Sequence, residues 1–186
     1  MSEQPGRYQR SPSGMVGALI VTLLVILAFV AFRACNRADL NVQPDHVDYL
    51  AQVGYAQRAG TELVYPASLP AGWYATKLDL SLGKLPELSL SMLTGSGHDA
   101  QYVGFVQSPA PVAELLTTYV DPAPTSGRPV MLPDGLVRHW QTWTDSGGDT
   151  ALVARWHRSS LMVFGGASLE QLEQVAGALT TRSLAS

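Results

Sequence analysis

Between Arg10 and Arg33 the chain carries no charged side chain, and the eighteen residues from Met15 to Phe32 read MVGALIVTLLVILAFVAF. As a helix that run is roughly 27 Å long, close to the hydrocarbon thickness of a bilayer, about 30 Å. Thr22 is the polar exception, and a threonine hydroxyl bonds back to its own helix. The run predicts a transmembrane helix over 15–34, with the lipid bilayer as its partner.

A cleaved secretory signal is the first rival. Such signals have an apolar core of about 7–15 residues and end in a small-x-small site. Here the run is longer and closes on Phe32-Arg33-Ala34-Cys35, with bulky and charged side chains where a peptidase needs small ones. Lipoprotein attachment at Cys35 requires a small uncharged pair before the cysteine, and Arg33 opposes it. An uncleaved anchor is therefore expected. Basic residues tie across the span, Arg7 and Arg10 against Arg33 and Arg37, so the flanks do not set orientation. The short leading tail and the long following domain favour a cytoplasmic N-terminus and an extracytoplasmic C-terminal domain. The organisation predicted is a disordered cytoplasmic tail over 1–14, the span over 15–34, a tether over 35–43, a domain over 44–182 and a tail over 183–186.

The remaining stretch, about 150 residues, suits one domain with its own core. From Asn36 onward nine Lys and Arg face fourteen Asp and Glu, a formal charge of −5. No basic patch is left for nucleic acid, which is excluded as a partner. Cys35 is the sole cysteine, which rules out an internal disulfide and a thiolate metal site.

Periodicity then lays out the domain. Pro44-Asp45 opens a helix that Gly60 ends, with Val47, Leu50, Ala51 and Gly54 on one face, widened by Tyr49, Val53 and Ala56. Leu63-Val64-Tyr65 is a short strand halted by Pro66, and Leu69 to Trp73 is a turn. From Tyr74 to Leu82 apolar and polar residues alternate, with Tyr74, Thr76, Leu78, Leu80 and Leu82 on one face; Leu88, Leu90 and Met92 repeat the pattern. Tyr102 to Val106 is apolar on both faces, the mark of a strand covered on both sides. A helix over Val112–Val120, a loop over Asp121–Pro129 and a three-strand meander ending at Phe164 follow. Ser168-Leu169-Glu170-Gln171 is a capping box for a last helix. The fold predicted is α+β: an antiparallel sheet meander with about three packing helices, preceded by the transmembrane helix.

Chemical signatures are sparse. No Gly-x-Ser-x-Gly elbow occurs, and the lone cysteine lies at the membrane, so hydrolase nucleophiles lack their usual setting. The acids fall on turns and helix starts, where capping accounts for them. Of His46, His98, His139 and His157, none are spaced four apart on a helix. His139 and His157 lie on neighbouring predicted strands. A seven-residue hairpin loop makes them face each other, while a five-residue loop sets His139 against Arg155. Two histidines fall short of a zinc site, and neither metal nor other cofactor is expected. Trp140 and Trp143 point to opposite faces of one strand, so one at most joins the core there. Trp143, His139 and His157 are the candidate partner or ligand surface, and no catalytic residue is assigned.

The anchor, Leu69-Pro70-Ala71-Gly72-Trp73, the strand Tyr102 to Ser108 and the ending from Leu161 to Leu179 together resemble the domain of unknown function numbered 4245. That family consists of single-pass proteins of high-GC Gram-positive bacteria. The resemblance implies a membrane-tethered domain outside the cytoplasm and supplies no functional residues. The glycine turn and closing helix are also loosely similar to lipoprotein-like and anti-sigma sensor domains. The expectation is a membrane-anchored, extracytoplasmic, non-catalytic binding or scaffold domain whose partners are envelope proteins. Alternatives are a carrier for a small apolar ligand or lipid, which needs an apolar pocket under the helices, and an envelope hydrolase, which needs clustered acids or a Ser–His pair.

Overall fold

A computed structural model describes residues 12–35 and 45–184. The chain divides into two units, residues 1–42 and 43–186. In the first, α1 runs from Pro12 to Cys35, 24 residues. It starts three residues before the expected span, at Pro12, since a first helical turn accepts a proline. From Leu19 to Phe32 its large apolar side chains are 53–67% exposed. Among the described residues no helix is long and apolar enough to cross a membrane. The span expected over 15–34 therefore rests on the sequence. The tail expected over 1–14 lies outside the described residues except for 12–14, which are helical. The tether over 35–43 lies outside them after Cys35.

The second unit contains, in chain order, α2 (Tyr49–Arg58), β1 (Tyr65–Pro66), β2 (Tyr74–Ser81), β3 (Glu87–Leu93), β4 (Tyr102–Ser108), α3 (Val112–Tyr119) and β5 (Thr125–Ser126). Next come β6 (Val130–Met131), β7 (His139–Thr144), β8 (Thr150–Trp156), β9 (Ser159–Gly165), α4 (Leu169–Gly177) and β10 (Leu179–Thr180). Two antiparallel meanders, β2-β3-β4 and β7-β8-β9, join edge to edge through β4 and β9, giving the order β2-β3-β4-β9-β8-β7-β5 with β6 also on β7. β1 and β10 form a separate pair. The α+β class, the antiparallel sheet and three packing helices agree with the sequence reading.

Both faces of the sheet are covered, for the reason the doubly apolar run in β4 implies. One face carries Leu88, Leu90, Met92, Val103, Phe105, Leu152, Leu161 and Val163 beneath α2 and α4. The other carries Val106, Ala151, Val153, Met162 and Phe164 beneath Leu115 and Leu116 of α3. Gly104 lies under the Phe164 ring, which occupies the place a Cβ would take. That close approach lets the Phe164 ring lie against the β4 backbone.

Several expectations need correction. α2 starts after Asp48, whose carboxylate accepts the Ala51 N–H at 3.0 Å, and not at Asp45. The Val47 N–H bonds the Ala75 carbonyl at 2.9 Å, so the residues before Asp48 are held along the sheet and are not free to coil. Its core face is Tyr49, Val53, Gly54 and Ala56, with Val47 and Leu50 half-buried against the same core; of the expected stripe, Ala51 alone is exposed. Pro66 lies inside β1 because that strand is an edge where a missing N–H costs nothing. In β2 a bulge between Ala75 and Lys77 shifts the alternation, so Ala75 is buried with Met92 and Leu78 and Leu80 are half-buried. The loop over Asp121–Pro129 contains β5. The C-terminal tail is pinned where it is described: the Leu184 N–H bonds Gln57 Oε1 at 2.9 Å and the Arg182 carbonyl accepts the Tyr65 hydroxyl at 2.6 Å. The capping box at Ser168 and Gln171 is formed, with Leu172, Val175 and Ala176 buried and Leu169 exposed.

Tyr49 gives this core a pH signature. Its hydroxyl donates to the Pro66 carbonyl at 2.8 Å. Burial, with Tyr65 and Asp48 adding to it, pushes its pKa from 10.0 up to about 12. A raised folded-state pKa means that the folded chain holds this proton more tightly, so the stabilisation is complete below pH 10 and fades as pH rises toward 12. Two units correspond to about 2.7 kcal/mol at most. Urea midpoints of Tyr49→Phe are expected to fall less between pH 9 and 11.5 than those of the wild type.

Candidate functional site

The strand β7 carries most of the expected surface. His139, Gln141 and Trp143 point to one face, and Trp140 and Thr142 to the other. Trp140 is 1% exposed, and its indole N–H donates to the Val137 carbonyl at 2.9 Å. Trp143 is half-buried against the α3 side of the sheet, so the two tryptophans divide between faces as their spacing requires. The segment after β5 is fastened to β7. The Thr142 hydroxyl donates to the Arg128 carbonyl at 2.6 Å, and Gln141 Nε2 donates to the Gly127 carbonyl at 2.7 Å. Gly127 is required there, since an added Cβ would meet the Thr142 hydroxyl.

The β7–β8 hairpin decides which partner His139 has. Thr144 pairs with Thr150 and Gln141 with Val153, leaving a five-residue loop. Within it Asp145 Oδ1 accepts the Asp149 N–H at 2.8 Å. Continued by two residues, this register places His139 across from Arg155. A groove of about 340 Å³ follows, lined by Val112, Pro129, His139, Trp143, Val153 and Arg155 among others. Val153 and Trp143 contribute apolar lining, and Arg155 contributes a charge. The Arg155 guanidinium donates to the Ser160 hydroxyl at 2.9 Å, and the ion pair found among the described residues is elsewhere, between Lys77 and Asp79. Arg155 thus offers charge with no carboxylate against it. The Trp143 indole nitrogen is buried without a hydrogen-bond partner.

His157 does not join this groove. It sits in the β8–β9 turn with φ of 50°, its ring edge-on to Trp156 at 4.4 Å. There it lines a second groove of about 340 Å³ with Lys84, Gln107 and Arg158. The physical reason is hairpin length: a five-residue loop, shorter than the seven that pairing His139 with His157 demands. Of the three expected residues, the structure brings two together. Arg155, Val112 and Pro129 complete the groove and were not singled out as a surface. The loop-length rule pointed to Arg155 as the alternative neighbour, whereas Val112 and Pro129 come from elements distant in sequence and left no signal.

Elsewhere the titratable groups explain themselves. Among the described residues no three His, Cys, Asp or Glu side chains are grouped to hold a metal. His46 stacks on Tyr74 at 4.0 Å. The Ala123 N–H and the Ser146 hydroxyl hold the Asp121 carboxyl below its usual range, the ordinary chemistry of a turn. A salt-bridging Asp79 holds the Lys77 ammonium above its usual range.

Fold and groove define an antiparallel α+β domain with a shallow, largely apolar surface cleft, carried on a chain that also contains a long apolar helix. The chain belongs to the family described as Protein of unknown function (DUF4245), which matches residues 7–179. No curated protein and no solved structure matches it.

Proposed function

We propose that this chain is a single-pass, membrane-anchored, non-catalytic binding domain of the cell envelope, with its N-terminus in the cytoplasm and residues 45–184 outside. The observation that carries the reading is the exposed apolar length of α1, whose large side chains from Leu19 to Phe32 are more than half exposed. Water would penalise that surface by tens of cal/mol per Å², and hydrocarbon removes the penalty. The 43–186 unit, by contrast, buries a core of its own.

The groove between β7 and α3 supplies the binding surface. It suits an apolar side chain flanked by a carboxylate, which Trp143 and Val153 would cover and Arg155 would pair. The carrier alternative has less support. Leu88, Leu90, Met92, Phe105, Leu152 and Leu161, all at 1% exposure or less, fill the sheet face beneath α2 and α4. The scattered acids likewise give a hydrolase reading little to stand on.

Protease treatment of intact cells is expected to digest the 45–184 domain and spare the tail; a domain cut only after permeabilisation reverses the orientation. Crosslinked envelopes are expected to yield a captured envelope protein. In the Trp143→Ala, Arg155→Glu double variant, capture is expected to fall about tenfold or more, as for loss of an anchor residue. Equal recovery from both chains removes the groove from the reading.

A further inference from the structure

The sheet ends very differently on its two sides. β5 closes one side with two residues. β2 closes the other with eight, Tyr74 to Ser81. A strand that long at an edge presents a row of unpaired N–H and carbonyl groups, and proteins usually blunt it with lysine, proline, a bulge or a covering segment. Among the described residues the bulge and the cover lie at one end only. The bulge falls between Ala75 and Lys77, and the Val47 N–H reaches Ala75. From Lys77 to Ser81, among the described residues, no backbone bond reaches the outer edge. The one lysine on this stretch is neutralised two residues on, with Lys77 Nζ 2.6 Å from Asp79 Oδ2 and both side chains largely in solvent. The usual deterrent is therefore cancelled within the strand itself.

We propose that β2 pairs with β2 of a second copy of this chain, antiparallel about a two-fold axis through Leu78. In that register Lys77 of each copy stands opposite Asp79 of the other, and Thr76 opposite Leu80. Opposite charges directly across a strand pair stabilise it, and like charges oppose it. Centring the axis on Lys77 sets lysine against lysine, and centring it on Asp79 sets acid against acid. Moving the axis half a residue puts Leu78 beside Lys77 and mixes the core face with the wet face. The Lys-Leu-Asp order thus selects one register. Leu78 and Leu80, half-buried on the face that packs against the core, gain cover from their counterparts. Pairing stops near Ala75, where Val47 already holds the edge.

A contact of about five residues a side falls well short of the roughly 1,200 Å² that stable solution complexes bury. Confinement in a bilayer raises effective concentration enough to populate it, and in that respect the inference rests on the anchored reading. The test uses the full chain in its native membrane with Cys35→Ser and Leu78→Cys. Antiparallel neighbours place two such cysteines about 4.5–5.5 Å apart between Cα atoms, within disulfide range. Mild oxidation is expected to yield a covalent dimer. Leu80→Cys is expected to yield little, because its two copies are offset by four residues, roughly 13 Å.

In the Leu78→Cys chain, Lys77→Glu or Asp79→Lys is each expected to cut the dimer at least fivefold. Co-expressing the two reversed chains with different tags is expected to restore a mixed dimer, which no loss of folding would produce. Resonance energy transfer between fluorescent fusions, without cysteines, reads the same charge pattern should Leu78→Cys fail to fold. Carbonate fractionation of the same sample reports on the anchor separately. Should the chain prove soluble, oxidation of the purified protein at high concentration decides the pairing. A monomer under oxidation, equal crosslinking at residues 78 and 80, indifference to charge reversal, or a crosslink to a different protein each overturns the proposal.

Discussion

Val25→Arg is expected to move the chain from the carbonate-resistant membrane fraction to the soluble or aggregated one. Val25 lies at the middle of the span expected over 15–34, and its side chain is 63% exposed on α1. An arginine at the centre of a spanning helix costs about 3 kcal/mol relative to valine on insertion scales, roughly a hundredfold in the insertion equilibrium. Val16→Arg makes the informative contrast. Near the end of the helix a long basic side chain reaches the interface, so the same substitution is expected to leave retention nearly unchanged. If both variants stay with the membrane, or the wild type itself washes off, lipid is not what covers α1.

The second large effect is on stability and separates the two tryptophans of β7. Trp140→Ala is expected to lower stability by about 3–5 kcal/mol, the range for truncating a buried aromatic. The loss has two parts: a cavity beneath α2 and α4, and a Val137 carbonyl deprived of the indole N–H it accepts at 2.9 Å. For Trp143→Phe the expectation is within about 1 kcal/mol of the wild type. That change removes a buried N–H with no partner, and an unpaired donor of this kind is itself a cost of about 1–3 kcal/mol. Urea unfolding of the purified chains measures both. A Trp143→Phe loss as large as that of Trp140→Ala would place Trp143 in the structural core and leave the groove without its anchor.

Much of the architecture was legible along the chain. Leu88, Leu90 and Met92 announced β3, the two-faced apolar run announced β4 as central, and Ser168 with Gln171 announced α4, because each signal is local. Where local signals competed with distant ones they failed. Asp45 is as good a cap as Asp48, but the Val47 N–H is already engaged with Ala75 of β2. The alternation through β2 was read in one phase, and the bulge after Ala75 changed it. The pairing of His139 turned on the loop between β7 and β8, and its five residues exclude His157.

Sequence alone determined the apolar helix, the α+β class and the absence of a local catalytic motif, since periodicity, charge and spacing act between near neighbours and need no partner from afar. Tertiary structure decided what meets what: β4 against β9, α3 over one face with α2 and α4 over the other, and a groove that joins Val112, Pro129, Trp143 and Arg155. Those meetings depend on which surfaces exclude water together, and that is a property of the packed chain and not of any single segment.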